Sequence, residues 1–210
     1  GGAGGSAGAG ASAAEAQQKQ RQAASLVSAA AATWSVAASD PAILGSMSSL
    51  VGSVSAALDP SAGDEGKGAA TGLLGFVETL NDPSNIGVMP PTARTRTLSN
   101  LGGALANVLA AAAPAGAASR RRRAQTVSTD ASTDASAGAL SSARFRESVA
   151  DSVGRSLDRI VVGALSGAVT GESFTLEKPS LHLSAMREAA ASLPNRTLSA
   201  PGGGGATFVL

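Results

Sequence analysis

The chain has no cysteine and no tyrosine, and it carries a single tryptophan and a single histidine. Without cysteine there is no disulfide framework, no thiolate zinc site and no cysteine nucleophile. Aromatics at 2% leave few platforms on which bases or sugars stack. One imidazole supplies no histidine metal cluster and no pair of imidazoles for proton transfer. Charged residues are 15% of the chain and sum to +1, so no field of one sign recruits nucleic acid. No apolar run reaches the about 20 residues that span a bilayer. The richest, LGGALANVLAAAA from Leu101, reads as a packed helix, so no direct membrane insertion is expected. A secretory leader is missing, the first residues are GGAGGSAGAG, and the last, ATFVL, fall within a strand pattern. The expectation is a segment of something larger.

What is present is mostly small. The apolar share of 43% is carried largely by alanine, so a core must be assembled from a limited set of Leu, Val, Ile, Phe and Met. Residues 1–13 read as a disordered Gly/Ala linker. A helix is expected from near Ala14, with Leu26, Ala30, Trp34 and Ala37 as its buried stripe. Asp40 followed by Pro41 supplies an N-cap and a proline at the first helical position. The next helix carries Ile43, Met47, Leu50, Val51, Val54 and Leu58. SAGDEGKG reads as a loop, and Ala70, Leu73, Leu74, Val77 and Leu80 mark a third helix. NDPSNIGVMPP reads as turn-rich and non-helical because of its prolines. A fourth helix is expected from about Thr92, with Leu98, Leu101, Leu105, Val108 and Leu109 on one side.

Residues 114–138 form a different texture, a flexible loop with four arginines and a doubled STDA unit. From about Leu140 the longest helix follows, with Phe145, Val149, Val153, Leu157, Ile160, Val161, Ala164 and Ala168, and Gly171 is expected to end it. Then the period changes from helical to alternating. Phe174 and Leu176 on one strand, and Leu181, Leu183 and Ala185 on the next, flank a break at Lys178-Pro179. A loop at Asn195-Arg196-Thr197, a PGGGG turn and a final TFVL strand complete the pattern. The predicted fold class is mainly α: antiparallel amphipathic helices over 14–170, followed over 171–210 by the first strands of a β-sandwich.

Two sites are legible. Asn195-Arg196-Thr197 is an N-glycosylation sequon in a polar loop and favours a secreted or cell-surface chain. Arg120, Arg121, Arg122 and Arg123 read as a solvated charge run, as a convertase-type processing site, as a nuclear signal or as an anion-binding patch. Nothing else in the chain supports nucleic-acid binding. Neither a phosphate-binding glycine motif nor a nucleophile–base–acid constellation stands out, so no catalytic residue, cofactor or metal ligand is assigned.

The order of these features resembles a known family. Amphipathic helices lead into Gly171-Glu172-Ser173-Phe174-Thr175-Leu176, then a strand with Leu181 and Leu183, and finally Ala206-Thr207-Phe208-Val209-Leu210. This looks like the GAIN region of polycystin-1-like proteins and adhesion receptors, where a helical subdomain precedes a β-sandwich near the membrane. The resemblance covers roughly residues 14–210 and rests on hydrophobic pattern. In that family paired Cys and Trp residues precede a self-cleaving His-Leu-Ser or His-Leu-Thr. Here His182, Leu183 and Ser184 match the tripeptide alone, with no cysteine and with Trp34 far upstream. On an alternating strand His182 and Ser184 share a face, so the tripeptide reads as ordinary strand.

The resemblance implies a non-enzymatic extracellular segment of a large ciliary or cell-surface membrane protein, with a structural, mechanosensory or adhesive role. Its partners would be other domains of the same chain, and a cation-channel subunit or a surface-filament protein. A structural glycoprotein of an extracellular matrix or ciliary surface filament is the alternative, and an intracellular helical scaffold the third reading.

Overall fold

A run of alanines between Gln20 and Trp34 is the best helix-forming stretch in the chain, because alanine loses no side-chain entropy on entering a helix. Helix α1 (Ala7–Ala37) grows outward from it. The structure, a computed structural model, describes residues 7–37, 40–60, 63–113, 133–189, 197–199 and 207–209. Helix α1 therefore begins inside the predicted linker, since alanine-rich sequence extends a helix already nucleated downstream. Its buried row is Gln20, Ala23, Val27, Ala30 and Trp34. Ala30 and Trp34 are buried as expected, whereas Leu26 stands about one-quarter turn away, is 51% exposed and yields its place to Val27; the Ala37 side chain lies outside the described residues.

Helix α2 (Pro41–Ala56) opens as the sequence predicts: the Asp40 carboxylate accepts from Ala42 N at 2.8 Å, and Pro41 takes the first position. Its most buried row is Leu44, Ser48, Val51 and Ser55, while Ile43, Met47 and Leu50 pack only part-buried at its side. Helix α3 (Asp64–Leu80) starts earlier than the sequence suggests, within the predicted SAGDEGKG loop. Asp64 and Glu65 in its first turn complement the positive end of the helix and offset the glycines. Its expected stripe, Ala70, Leu73, Leu74, Val77 and Leu80, is buried.

The turn-rich stretch holds a one-turn helix, α4 (Pro83–Gly87), which the sequence reading excluded. Proline is harmless at its first position, where no intrahelical donor is required, and the Asp82 side chain caps Ser84 N. Helix α5 (Pro91–Ala112) buries Leu98, Leu101, Leu105 and Val108. Helix α6 (Thr133–Leu165) begins within the predicted flexible loop and ends before Gly171. Ser166 N still reaches Val162 O (2.9 Å), and Gly167 then takes a φ of 76°, open to glycine at little cost, which turns the chain out of the helix.

Hydrogen bonds at the helix ends fix the directions. Gln20 of α1 donates to Ala57 O (3.2 Å) and accepts from Asp59 N (3.1 Å), just past the end of α2. Trp34 lies beside Pro41 and Leu44 at the start of α2, so α1 and α2 run oppositely. The long helices alternate in direction along the chain. The most extensive contacts nevertheless join helices that run the same way, α2 with α5 and α1 with α3. The α2–α5 seam carries a polar ladder with a seven-residue repeat. Asn100 Nδ2 donates to Ser48 Oγ (3.3 Å) and Asn107 Nδ2 to Ser55 Oγ (3.0 Å), while each serine donates to a carbonyl of its own helix. In a seam built of small residues, such bonds fix register more than they add stability.

Beyond α6 come β1 (Ser173–Lys178) and β2 (Leu181–Met186), an antiparallel pair. A second antiparallel pair joins β3 (Thr197–Ser199) and β4 (Thr207–Val209). The fold is thus mainly helical with short antiparallel pairing at its C-terminal end.

Candidate functional site

The helical layer meets the hairpin at a junction built from α5, α6, β1 and β2. Strand alternation divides the hairpin into two faces. Phe174, Leu176 and Lys178 pair with Ala185, Leu183 and Leu181 on the inner face, against α5 and α6. Ser173, Thr175 and Glu177 pair with Met186, Ser184 and His182 on the outer, exposed face.

Leu176 is the anchor and is 3% exposed. It sits on Gly102 of α5, where a β-carbon would lie on the Leu176 methyl Cδ2 and within 3.2 Å of Cγ. The neighbouring Gly103 faces the Lys178 stem: a β-carbon there would be 3.5 Å from Lys178 Cε. The Gly102-Gly103 pair is therefore a flat place on α5 that lets a strand approach closely. Polar bonds flank the anchor. Lys178 Nζ donates to Ser99 Oγ (3.3 Å), and Ser180 Oγ in the hairpin turn donates to Ala106 O (2.7 Å). The second of these bonds is with a helical carbonyl already engaged in its own helix, so it positions the turn rather than rescuing an orphan group.

The C-terminal end of α6 is held by two arginines from distant elements. Arg94, near the start of α5, donates to Ser166 O, to Gly87 O (3.3 Å) and to Met89 O (3.1 Å). One guanidinium thus satisfies carbonyls at the ends of α4 and α6 together, which a planar fork does and an ammonium does not. Arg187, just after β2, donates from Nη1 to Ala168 O (2.9 Å) and Leu165 O (3.4 Å). Both cations sit at the negative end of the α6 dipole. Further along, Arg159 Nη1 caps Glu78 O (2.8 Å) near the end of α3.

The residues singled out in the sequence fall as follows. His182 and Ser184 lie on the exposed face of β2, with His182 Nδ1 at 3.8 Å from Glu177 Oε1, beyond hydrogen-bond length. Asn195 and the run Arg120, Arg121, Arg122 and Arg123 lie outside the described residues. Among the described residues no group of three or more His, Asp or Glu side chains is placed to hold a metal ion. No helix there is long and apolar enough to cross a membrane. A groove of about 640 Å³ between α2 and α5 is lined by Leu50, Met89 and Arg96 with serines. Ser46 and Ser53 spend their protons on carbonyls of their own helix, so they do not converge on a shared point.

Sequence reasoning missed Gly102, Lys178, Ser180, Arg94 and Arg187. Only the glycine pair left a signal: two adjacent glycines inside a helical pattern mark a close approach. No protein-family model, curated protein or solved structure matches this chain.

Proposed function

We propose that the chain is a non-enzymatic, extracellular coupling segment of a large ciliary or cell-surface membrane protein of polycystin-1-like kind. Its helices form a rigid base, and the hairpin passes load or contact between that base and the β-rich part that follows. Partners in this reading are other domains of the same chain, together with a cation-channel subunit or a surface-filament protein. The carrying observation is the docking of β1 on α5 through Leu176 and Gly102, with Lys178 and Ser180 bonded on either side. A spacer would need no such joint between its helices and its hairpin.

The test is made on native cells. Antibody against this segment should label intact cells, and peptide mass spectrometry should find a glycan on Asn195. The labelled protein should stay with the membranes through an alkaline carbonate wash. Release by that wash would favour the matrix or surface-filament glycoprotein instead. Labelling only after permeabilisation, with Asn195 bare, would sink both extracellular readings.

A further inference from the structure

The groove between α2 and α5 runs along about three turns of α2, from Ala42 to Ser53. Its α2 wall is low, because small residues recur there at helical spacing: Ala42, Gly45, Ser46, Ser49 and Ser53. The Ser46 and Ser53 hydroxyls fold back onto carbonyls of their own helix. A β-carbon on Gly45 would meet nothing within 4 Å, so the groove is deep at that level. Half-buried Leu50 and Ala93 and buried Met89 give it an apolar lining. Two bonds, Asn100 to Ser48 and Asn107 to Ser55, each join residues 52 apart in these parallel helices. The same offset sets Gly45 level with Thr97.

Two groups at that level lack partners. Among the described residues Arg96 is the one charged side chain lining the groove, and it is exposed and makes no ion pair or hydrogen bond there. Thr97 is 1% exposed and also lines the groove, yet its hydroxyl has no hydrogen-bond partner among the described residues. Thr95, by contrast, returns its hydroxyl to Pro91 O (3.0 Å). A buried hydroxyl left unpaired is costly, and a neighbouring oxygen acceptor removes that cost. Asp40, at the head of α2, is engaged with Ala42 N, and the first turn of α5 has no acidic residue. The field at this end of the groove is therefore positive.

We propose that this groove docks an acidic helix of a partner protein. An Asp or Glu of that helix pairs with Arg96 and accepts from the Thr97 hydroxyl, while its small and apolar residues lie over Gly45 and against Leu50 and Met89. Shape selects the helix: two parallel walls with residues at helical spacing receive the ridge of a third helix, and the low α2 wall lets its backbone come close. An extended peptide finds no sheet edge here, since both walls are helices bonded within themselves. No aromatic side chain lines the groove, so a base or sugar has nothing to stack on. Charge selects the acid, because the groove presents one unpaired cation and no anion. This surface goes beyond the coupling role proposed above and does not depend on it.

The probe is a displayed library of helical peptides, randomised along one face and selected on the full chain. Enriched peptides are then synthesised and titrated into the native chain and its variants by fluorescence anisotropy. Selection should fix an Asp or Glu among Ala, Gly and Ser. Arg96→Ala should weaken binding about 3- to 10-fold. Changing the peptide's acid to its amide should cost as much in the native chain and nothing further in Arg96→Ala. Thr97→Val, which keeps the shape and removes the hydroxyl, should also weaken binding. Gly45→Leu places a side chain in the groove without a clash inside the chain, so binding should be lost while the melting temperature holds or rises. Arg144→Ala, which removes an exposed charge on α6, should change nothing. A selection that enriches no peptide, peptides enriched without an acid, or peptides that bind Gly45→Leu as well as the native chain would overturn the proposal. Self-association of the native chain in sedimentation, abolished by Gly45→Leu, would make the occupant a second copy and refute the acidic partner.

Discussion

Leu176 of β1 occupies the space that a side chain on Gly102 of α5 would fill. This pair decides how closely the hairpin approaches the helical layer. Removing the anchor and filling its seat disturb the same contact from opposite sides. Leu176→Ala should cost about 2–4 kcal/mol, as for a leucine truncated in a core. Gly102→Ala should cost about 1–3 kcal/mol, because the new methyl forces Leu176 off its position. In the double variant the clash has no partner, so the total should fall short of the sum by more than about 0.5 kcal/mol. Urea denaturation of the four proteins measures this, and strict additivity would refute the contact.

A second prediction separates two leucines of α2. Leu44 is 1% exposed, whereas Leu50 is only part-buried beside the core. Leu44→Ala should cost about 3–4 kcal/mol and Leu50→Ala about 1–2 kcal/mol, scaled by the area each removes from water. Equal losses in thermal or denaturant unfolding would contradict the orientation of α2.

These two leucines also mark how far the sequence carries. Helix α3 buries the residues that periodicity names, and α5 all of its own except the half-buried Leu109, because their apolar residues are large and regularly spaced. Helices α1 and α2 are rich in Ala, Ser and Gly, so several faces have nearly equal apolar content. There the choice between Leu26 and Val27, or between Ile43 and Leu44, falls to tertiary packing. Buried serines such as Ser48 and Ser55 are invisible to a hydrophobic pattern, although each is satisfied by a carbonyl of its own helix and by an asparagine of α5. The change from helix to strand was legible at Phe174 and Leu176, where the period itself changes. The arginine contacts at Arg94 and Arg187 were not, since each joins groups far apart in sequence and leaves no local signature.

The third prediction concerns glycines inside α3, which are not equivalent. A β-carbon on Gly66 would overlap the carbonyl oxygen of Asp59 and lie 3.1 Å from the Pro60 α-carbon, both fixed backbone atoms. Gly72 and Gly75 are exposed and have nothing within 4 Å of that position. Gly66→Ala should therefore destabilise by about 1–3 kcal/mol or more. Gly72→Ala and Gly75→Ala should each stabilise by about 0.5–1 kcal/mol, since helical glycine costs backbone entropy. Calorimetry should show the melting temperature moving in opposite directions; a fall in all three variants would place the exposed face of α3 elsewhere.

The fourth prediction is a pH dependence. Asp82 caps α4: its carboxylate accepts from the Ser84 hydroxyl (2.5 Å) and from Ser84 N (2.9 Å). The Ser84 hydroxyl first, then the Ser84 amide, hold this carboxyl below the usual aspartate range, with a smaller contribution from Arg159. A folded-state pKa below the unfolded one means that the ionised cap favours folding above the unfolded pKa of about 3.9. That contribution is lost as pH falls through the lower, folded-state value. The carboxylate is exposed and screened, so its size is at most about 1 kcal/mol. Asp82→Asn keeps a capping oxygen but cannot titrate. Denaturation of both proteins between about pH 2 and pH 7 isolates this one group, because every other carboxylate titrates in both. Relative to Asp82→Asn, the native chain should lose stability only below about pH 4, and a difference constant across the whole range would mean that Asp82 does not cap α4 as a carboxylate.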